Sequence, residues 1–206
     1  MYAERKALLS NIEEHFKAKA LLYVTSDRQN LETQISGDVF DHFVNHLDRI
    51  GVVDRIVLII YSRGGDTLAA WSLINLIRQY CDYLVVLAPS RAHSAATLIS
   101  LGANEIVMTK QATLGPIDPS VNGPLNPQIP GRPNERAPVS VEAINGFLEL
   151  AHEQNINDSN EMMQMLLQLS QQVHPLVLGN VYRTRSQIQM LAKKLIINQV
   201  QDEEHI

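Results

Sequence analysis

The stretch Arg55-Ile56-Val57-Leu58-Ile59-Ile60-Tyr61-Ser62-Arg63-Gly64-Gly65-Asp66-Thr67-Leu68-Ala69-Ala70-Trp71 decides the fold. Arg55 to Tyr61 is a continuous apolar run bounded by polar residues. Such a run suits a strand buried on both faces, as in a parallel sheet. Gly64-Gly65 makes the turn, and Asp66 is placed to cap a helix. Thr67 to Tyr80 then carries Leu68, Trp71, Leu73, Ile74 and Ile77 at helical spacing. Strand, glycine turn and amphipathic helix are half of a βαβ unit.

Downstream, the pattern repeats. Tyr83 to Ala88 reads as a strand, broken by Pro89 and Ser90. Ala92 to Gly102 is small and apolar and suits a buried helix with Gly102 near its C-terminal cap. Glu105 to Met108 reads as a further short strand. The order β-α-β-α-β from Arg55 to Met108 argues for a parallel α/β sheet with right-handed crossovers. Upstream, Ala3 to Ala18 and Asp38 to Ile50 read as helices around a first strand at Leu21 to Thr25. From Gly115 to Pro138 there are three Gly, seven Pro and three Asn. That content predicts a long segment without regular structure over most of its length, its distal part from Asn122 to Arg136 more variable. Helical patterning returns from Val139, with a polar break at Gln154 to Asn160 and an acidic tail at Asp202-Glu203-Glu204.

Composition narrows the class. Of the 206 residues, 45% are hydrophobic and 19% charged, which is a globular balance rather than a disordered one. A net charge of −5 gives no basic footprint for nucleic acid. Cys81 is the single cysteine, so no internal disulfide forms and a reducing compartment fits. No apolar run approaches the ~20 residues that span a bilayer. The first residues carry no signal-peptide pattern, and a cytoplasmic location is expected, with any membrane association through a partner. No Cys/His cluster has metal-ligand spacing, and no metal or cofactor is expected. Gly64-Gly65 is no phosphate loop, because it lacks both the Lys-Ser/Thr and the spaced glycine triplet.

Three features carry chemistry, each with a plain alternative. Gly64-Gly65 exposes backbone N–H groups that can hold a developing oxyanion, or is only a tight turn. Ser94, in Ala92-His93-Ser94-Ala95-Ala96-Thr97, stands at a helix start, where free donors and the helix dipole favour a nucleophile; serine is equally a common N-cap. Asp118, in Leu114-Gly115-Pro116-Ile117-Asp118-Pro119, can orient or accept a proton, or only make a turn before proline. All three follow strand ends on the edge of a parallel sheet where sites form.

Together these motifs resemble the serine dehydrogenase proteinase family, related to signal peptide peptidase A and to the proteolytic subunit of the Clp protease within the crotonase-like superfamily. The resemblance covers Leu22 to Pro127. It implies a crotonase-like α/β fold of repeated ββα and βαβ units with a parallel core. One domain over 1–206 is expected, with a core at about 20–120, a loop at 115–138 and a helical extension at 139–206. It also implies a serine peptidase acting on peptide or protein substrates, assembled as a homo-oligomer. Ser94 matches the nucleophile, Gly64 and Gly65 the oxyanion glycines, and Ala95 the position of a second oxyanion donor. Asp118 falls near where the Clp subunit carries its histidine base. Relatives generally read Ser-Ala-Gly where this chain has Ser94-Ala95-Ala96. Signal-peptide-peptidase-like enzymes use a downstream lysine, whereas this chain has none between Lys110 and Lys193. Lys110, His93, His152 and His174 read as surface residues, and Arg132 and Arg136 stay protonated, so the base is unassigned. Two other functions stay open: an oligomeric member that binds peptide segments without cleaving them, and a crotonase-type enzyme acting on acyl-CoA.

Overall fold

A computed structural model describes residues 2–153 and 159–203. Residues 154–158 of the expected polar break, the end of the acidic tail from Glu204, and the side chain of His152 lie outside what is described. The chain forms two compact units, one of residues 1–117 with 191–206 and one of residues 118–190.

The first unit opens with α1 (Tyr2–Phe16) and β1 (Lys19–Val24). A single 3-10 turn (Gly37–Val39) leads into α2 (Phe40–Ile50), followed by β2 (Val53–Tyr61) and α3 (Thr67–Arg78). Then come β3 (Cys81–Ala88), β4 (Arg91–Ala92), α4 (Ala95–Leu101), β5 (Glu105–Met108) and β6 (Thr113–Leu114). The fold is α/β on a parallel core: β1, β2, β3 and β5 form one sheet in that order, every neighbouring pair parallel.

Because strand order follows chain order, right-handed crossovers bring successive helices to one face. The packing shows this. Phe43 and Leu47 of α2, Leu73, Ile74 and Ile77 of α3, and Leu98 and Ile99 of α4 share a core with Leu21, Ile56, Leu58, Ile60, Leu84 and Val86 of the strands. Alternate strand residues point the other way. There Val57 and Val85 pack with Ile12 and Phe16 of α1. Ile56, Val57, Leu58 and Ile60 are wholly buried, so β2 is covered on both faces as its unbroken apolar run requires. Truncating a side chain such as Ile74 to alanine here removes about 2–5 kcal/mol.

Local signals behave as their chemistry dictates. The Asp66 carboxylate accepts from the Ala69 N–H at 2.6 Å and starts α3. α4 starts at Ala95, three residues later than its composition indicates, because Arg91 and Ala92 pair as a short strand with Thr113 and Leu114.

The second unit contains β7 (Ser120–Val121), β8 (Gln128–Ile129), β9 (Arg132–Arg136) and β10 (Val139–Ser140), then α5 (Val141–Glu153), α6 (Ser159–Gln172) and the first part of α7 (Pro175–Glu203). The segment from Gly115 to Pro138 has no regular structure over most of its length, as expected, but these short strands pin it. β8 and β9 form an antiparallel hairpin about Pro130-Gly131, and β7 pairs with β10. Asn126, almost fully buried, donates to the Val121 carbonyl at 2.7 Å and the Ala137 carbonyl at 2.9 Å. A valine cluster of Val139, Val141, Val173, Val177 and Val181 forms this unit's core.

Candidate active site

The end of β2 and the start of α4 meet through one residue, Ser62. Its N–H donates to the Arg91 carbonyl at 2.9 Å, and its carbonyl accepts from the His93 N–H at 3.0 Å. Ladder bonds thus hold the segment after β2 beside the segment carrying Ser94. Gly64 completes the approach. A Cβ built on Gly64 would stand 2.6 Å from the Ser94 Cβ and 3.1 Å from the Ser94 Oγ. Gly64 also has φ +120°, a conformation open to glycine and rarely to other residues.

Ser94 has φ 53° and ψ −117°. This is one of three non-glycine residues with positive φ among the described residues. Such a conformation costs about 1–3 kcal/mol and persists only where the surroundings impose it. It also changes what the hydroxyl does. The plain alternative was an N-cap, yet the Ser94 side chain makes no cap hydrogen bond to α4. Among the described residues no hydrogen bond engages its Oγ. Ser94 is half-buried, at a sharp strand-to-helix turn that leaves the hydroxyl uncommitted.

The two glycine amides differ. The Gly64 N–H donates to the Ser62 Oγ at 3.0 Å and is already occupied. The Gly64 carbonyl accepts from the Ile35 N–H at 2.8 Å, and the Asp66 N–H donates to the Ile35 carbonyl at 2.8 Å. In a trans peptide the C=O and the following N–H point in opposite directions. The Gly65 N–H therefore points away from Ile35. A Cβ on Gly65 would strike the Ile35 backbone, so only glycine lets this pairing form. The second free donor is the N–H of Ala95, first residue of α4, which has no partner within its own helix. A cleft of about 360 Å³ opens beside Gly64 and Gly65, lined also by Ser26, Glu32, Thr33, Gln34 and Arg63.

His93 is held rather than solvated. Its Nε2 and the Thr113 hydroxyl share a 2.7 Å hydrogen bond, and its ring lies against the Cα of Gly115. Thr97 locks the same segment: its hydroxyl, with one proton to donate, lies 2.8 Å from both the Ala92 and the Gly115 carbonyl, and it accepts from the Gly115 N–H at 3.2 Å. Nearby, Asp27 accepts from the Tyr61 hydroxyl at 2.6 Å and from Arg91 at 3.0 Å, with Arg63 at 3.8 Å. The Tyr61 hydrogen bond, then the two guanidinium groups, hold the Asp27 carboxyl below its usual range.

The other candidates have separate occupations. Asp118 accepts from the Ser140 hydroxyl at 3.1–3.2 Å and from the Glu142 N–H at 3.3 Å, at the start of α5. Ser140 in turn accepts from the Ala143 N–H at 3.0 Å. His174 is a cap too: its Nδ1 accepts from the Leu176 N–H at 3.2 Å where α7 begins. Lys110 and Arg136 are exposed, and Arg132 pairs with Glu135 at 2.9 Å. No group of three or more metal-binding side chains occurs among the described residues. No described helix is long and apolar enough to cross a membrane.

Sequence reasoning passed over Ser62, Thr25 and Ile35. The available signal for Ile35 was an apolar side chain inside the polar run from Ser26 to Asp38; it is wholly buried. Ser62 offered only its place directly after the apolar run.

Comparison with known proteins adds an independent line. The family described as ClpP-like SDH-type serine proteinase matches residues 49–172. Two uncharacterized proteins of Methanocaldococcus jannaschii are each 38% identical, one over 66 residues and the other over 74. These stretches cover 32% and 36% of this chain but only 23% and 26% of those proteins, so the match spans about a quarter of their length. Among solved structures, a peptidase from Plasmodium falciparum aligns at a TM-score of 0.33 and 11% identity, covering 78% of this chain and 83% of that one.

Proposed function

The chain belongs to the ClpP-like SDH-type serine proteinase family, and on that premise we propose that it is a serine peptidase with Ser94 as nucleophile. The Ser94 Oγ attacks the substrate carbonyl carbon, and the π electrons move to the oxygen. The N–H groups of Gly65 and Ala95 hold that oxyanion, while Gly64 supplies the close approach. The amine then leaves with a proton, and water hydrolyses the acyl-enzyme. The observation that carries this reading is the turn at Ser94: φ 53°, no cap bond and a glycine Cα against its side chain. A residue held at that cost with an unspent hydroxyl fits a nucleophile better than a cap.

The proton of Ser94 needs an acceptor, and we place it on a neighbouring copy in a homo-oligomer. Exposed apolar side chains on α5 and α6 (Leu150, Met163, Leu166 and Leu167) support such an assembly. Light scattering is expected to give a multiple of the single-chain mass; a single-chain mass at micromolar concentration removes the shared-site proposal. Asp118, with its carboxylate taken up by Ser140 and Glu142, is assigned to the start of α5 rather than to proton transfer. The unpaired cysteine supports a cytoplasmic site of action. The crotonase-like repeat of ββα units remains the proposed topological frame.

The test is labelling by a fluorophosphonate. The wild-type chain is expected to label, and Ser94→Ala to abolish both labelling and peptidase activity while changing stability by at most about 1 kcal/mol, since no hydrogen bond of the Ser94 side chain is lost. Unchanged turnover in the variant removes Ser94 from the mechanism. A second reading, binding of peptide segments without cleavage, is favoured by the lack of a hydrogen-bond acceptor for Ser94 among the described residues. It requires peptide binding without labelling. Measurable affinity for CoA instead supports the acyl-CoA alternative.

A further inference from the structure

We infer that Ser62 and Thr25 are positioning residues for the oxyanion donor at Gly65, an inference that rests on the peptidase reading above. Ser62 is wholly buried and Thr25 nearly so. The Thr25 hydroxyl donates to the Ser62 Oγ at 2.8 Å. The Ser62 Oγ accepts from the Gly64 N–H at 3.0 Å and lies 3.3 Å from the Gly64 carbonyl. A serine oxygen has two lone pairs, and here Thr25 and Gly64 fill both.

The consequence lies in the peptide planes. The plane between Arg63 and Gly64 is fixed by its N–H on Ser62. The next plane, between Gly64 and Gly65, is fixed by its carbonyl on Ile35. Gly64 is the hinge between them, and a glycine hinge with no side chain is the freest joint a backbone has. The Ser62 Oγ touches both planes, at the Gly64 N–H and at the Gly64 carbonyl, so its loss frees the first and leaves the second held at Ile35 alone, where it can tilt and move the Gly65 N–H. Ser62 also bonds through its backbone to Arg91 and His93, beside the nucleophile. One residue thus references the oxyanion donor and Ser94 to the same point. Thr25 extends this to the end of β1, where its own N–H donates to the Tyr61 carbonyl at 2.9 Å.

The experiment compares wild type, Ser62→Ala and Thr25→Val, each first shown to be folded by thermal melt. Two readings are taken: hydrogen exchange of the glycine amides by NMR, and the rate of Ser94 phosphonylation against the affinity of an uncleaved substrate peptide. In Ser62→Ala the Gly64 amide is expected to exchange faster. Phosphonylation should slow by about 10–100-fold, since an ~1 Å misplacement costs about that much, with peptide affinity within twofold of wild type. Thr25→Val keeps the Ser62 bond to Gly64 and should slow the reaction several-fold only. It also serves if Ser62→Ala does not fold. Equal phosphonylation rates in wild type and both folded variants overturn the positioning role and leave the peptidase intact. Failure of the wild type to label, with its Gly64 amide still protected, overturns the peptidase reading and the positioning role with it. A parallel loss of peptide affinity and rate marks a general structural role and also overturns the inference.

Discussion

Gly64→Ala is the sharpest perturbation of the site that removes no functional atom. The added methyl would stand 2.6 Å from the Ser94 Cβ and 3.1 Å from both the Ser94 Oγ and the His93 carbonyl. Non-bonded carbons rest at about 3.5–4.0 Å, so the two segments must part by ~1 Å. That parting acts on the ladder that Ser62 forms with Arg91 and His93, and so separates Ser94 from the Gly65 N–H. Overpacking of this kind costs about 1–3 kcal/mol, and the φ of +120° adds a further ~1–3 kcal/mol for a residue with a side chain. A misplacement of ~1 Å lowers a rate by about 10²-fold. The assay is the second-order rate of fluorophosphonate labelling, read beside a denaturant melt. The expected result is a folded protein destabilised by about 2–6 kcal/mol that labels about 10²-fold more slowly. Labelling within twofold of wild type, with an unchanged melt, refutes both the contact between Gly64 and Ser94 and the role built on it.

Asp118→Asn keeps the shape of the cap and removes its charge. It should lower stability by about 0.3–1 kcal/mol through the start of α5 and leave the peptidase rate within twofold; a fall of 10²–10⁴ returns Asp118 to proton chemistry. The Cys81 thiol is pushed up to about 11, chiefly by burial. The folded chain thus holds this proton more tightly than the unfolded one, so its contribution to stability is full below about pH 8.5 and is lost as pH climbs toward 11. Iodoacetamide at pH 8 should modify Cys81 only when denaturant is added, and rapid modification of the folded protein contradicts its burial.

The parallel sheet was legible because its signal is local and long. Arg55 to Tyr61 and Tyr83 to Ala88 are apolar runs of strand length, and Thr67 to Arg78 is amphipathic with its own cap. The pairing of Arg91-Ala92 with Thr113-Leu114 was not, because two residues carry no periodicity. Ile35 against Gly65 is a contact across thirty residues whose recognition is by backbone atoms, which every residue has. For Ser94 the sequence offered the residue type and a helix start, but its positive φ without a cap bond arises where Ser62 and Gly64, just past the end of β2, pack beside it. In the segment after Gly115, prolines and glycines were read as preventing structure. Pro130-Gly131 instead makes the two-residue turn of a hairpin, with Gly131 at φ +78°.

The sequential order of the sheet sets a timetable for synthesis. Lys19 faces Ile56, Val57 faces Val85, and Val85 faces Glu105, so each strand finds its neighbour within about forty residues of chain, a short closure by the standards of parallel sheets. On a ribosome each strand can dock on its predecessor as it emerges, with no edge waiting for a distant partner. The pairing of Ser62 with Arg91 and His93 forms early in that order, and the Thr113–Gly115 clamp on His93 and Thr97 forms next. The strained turn at Ser94 can therefore close before the second unit folds, and a ribosome-bound chain arrested far enough beyond Ile117 for that residue to have left the exit tunnel should already carry it.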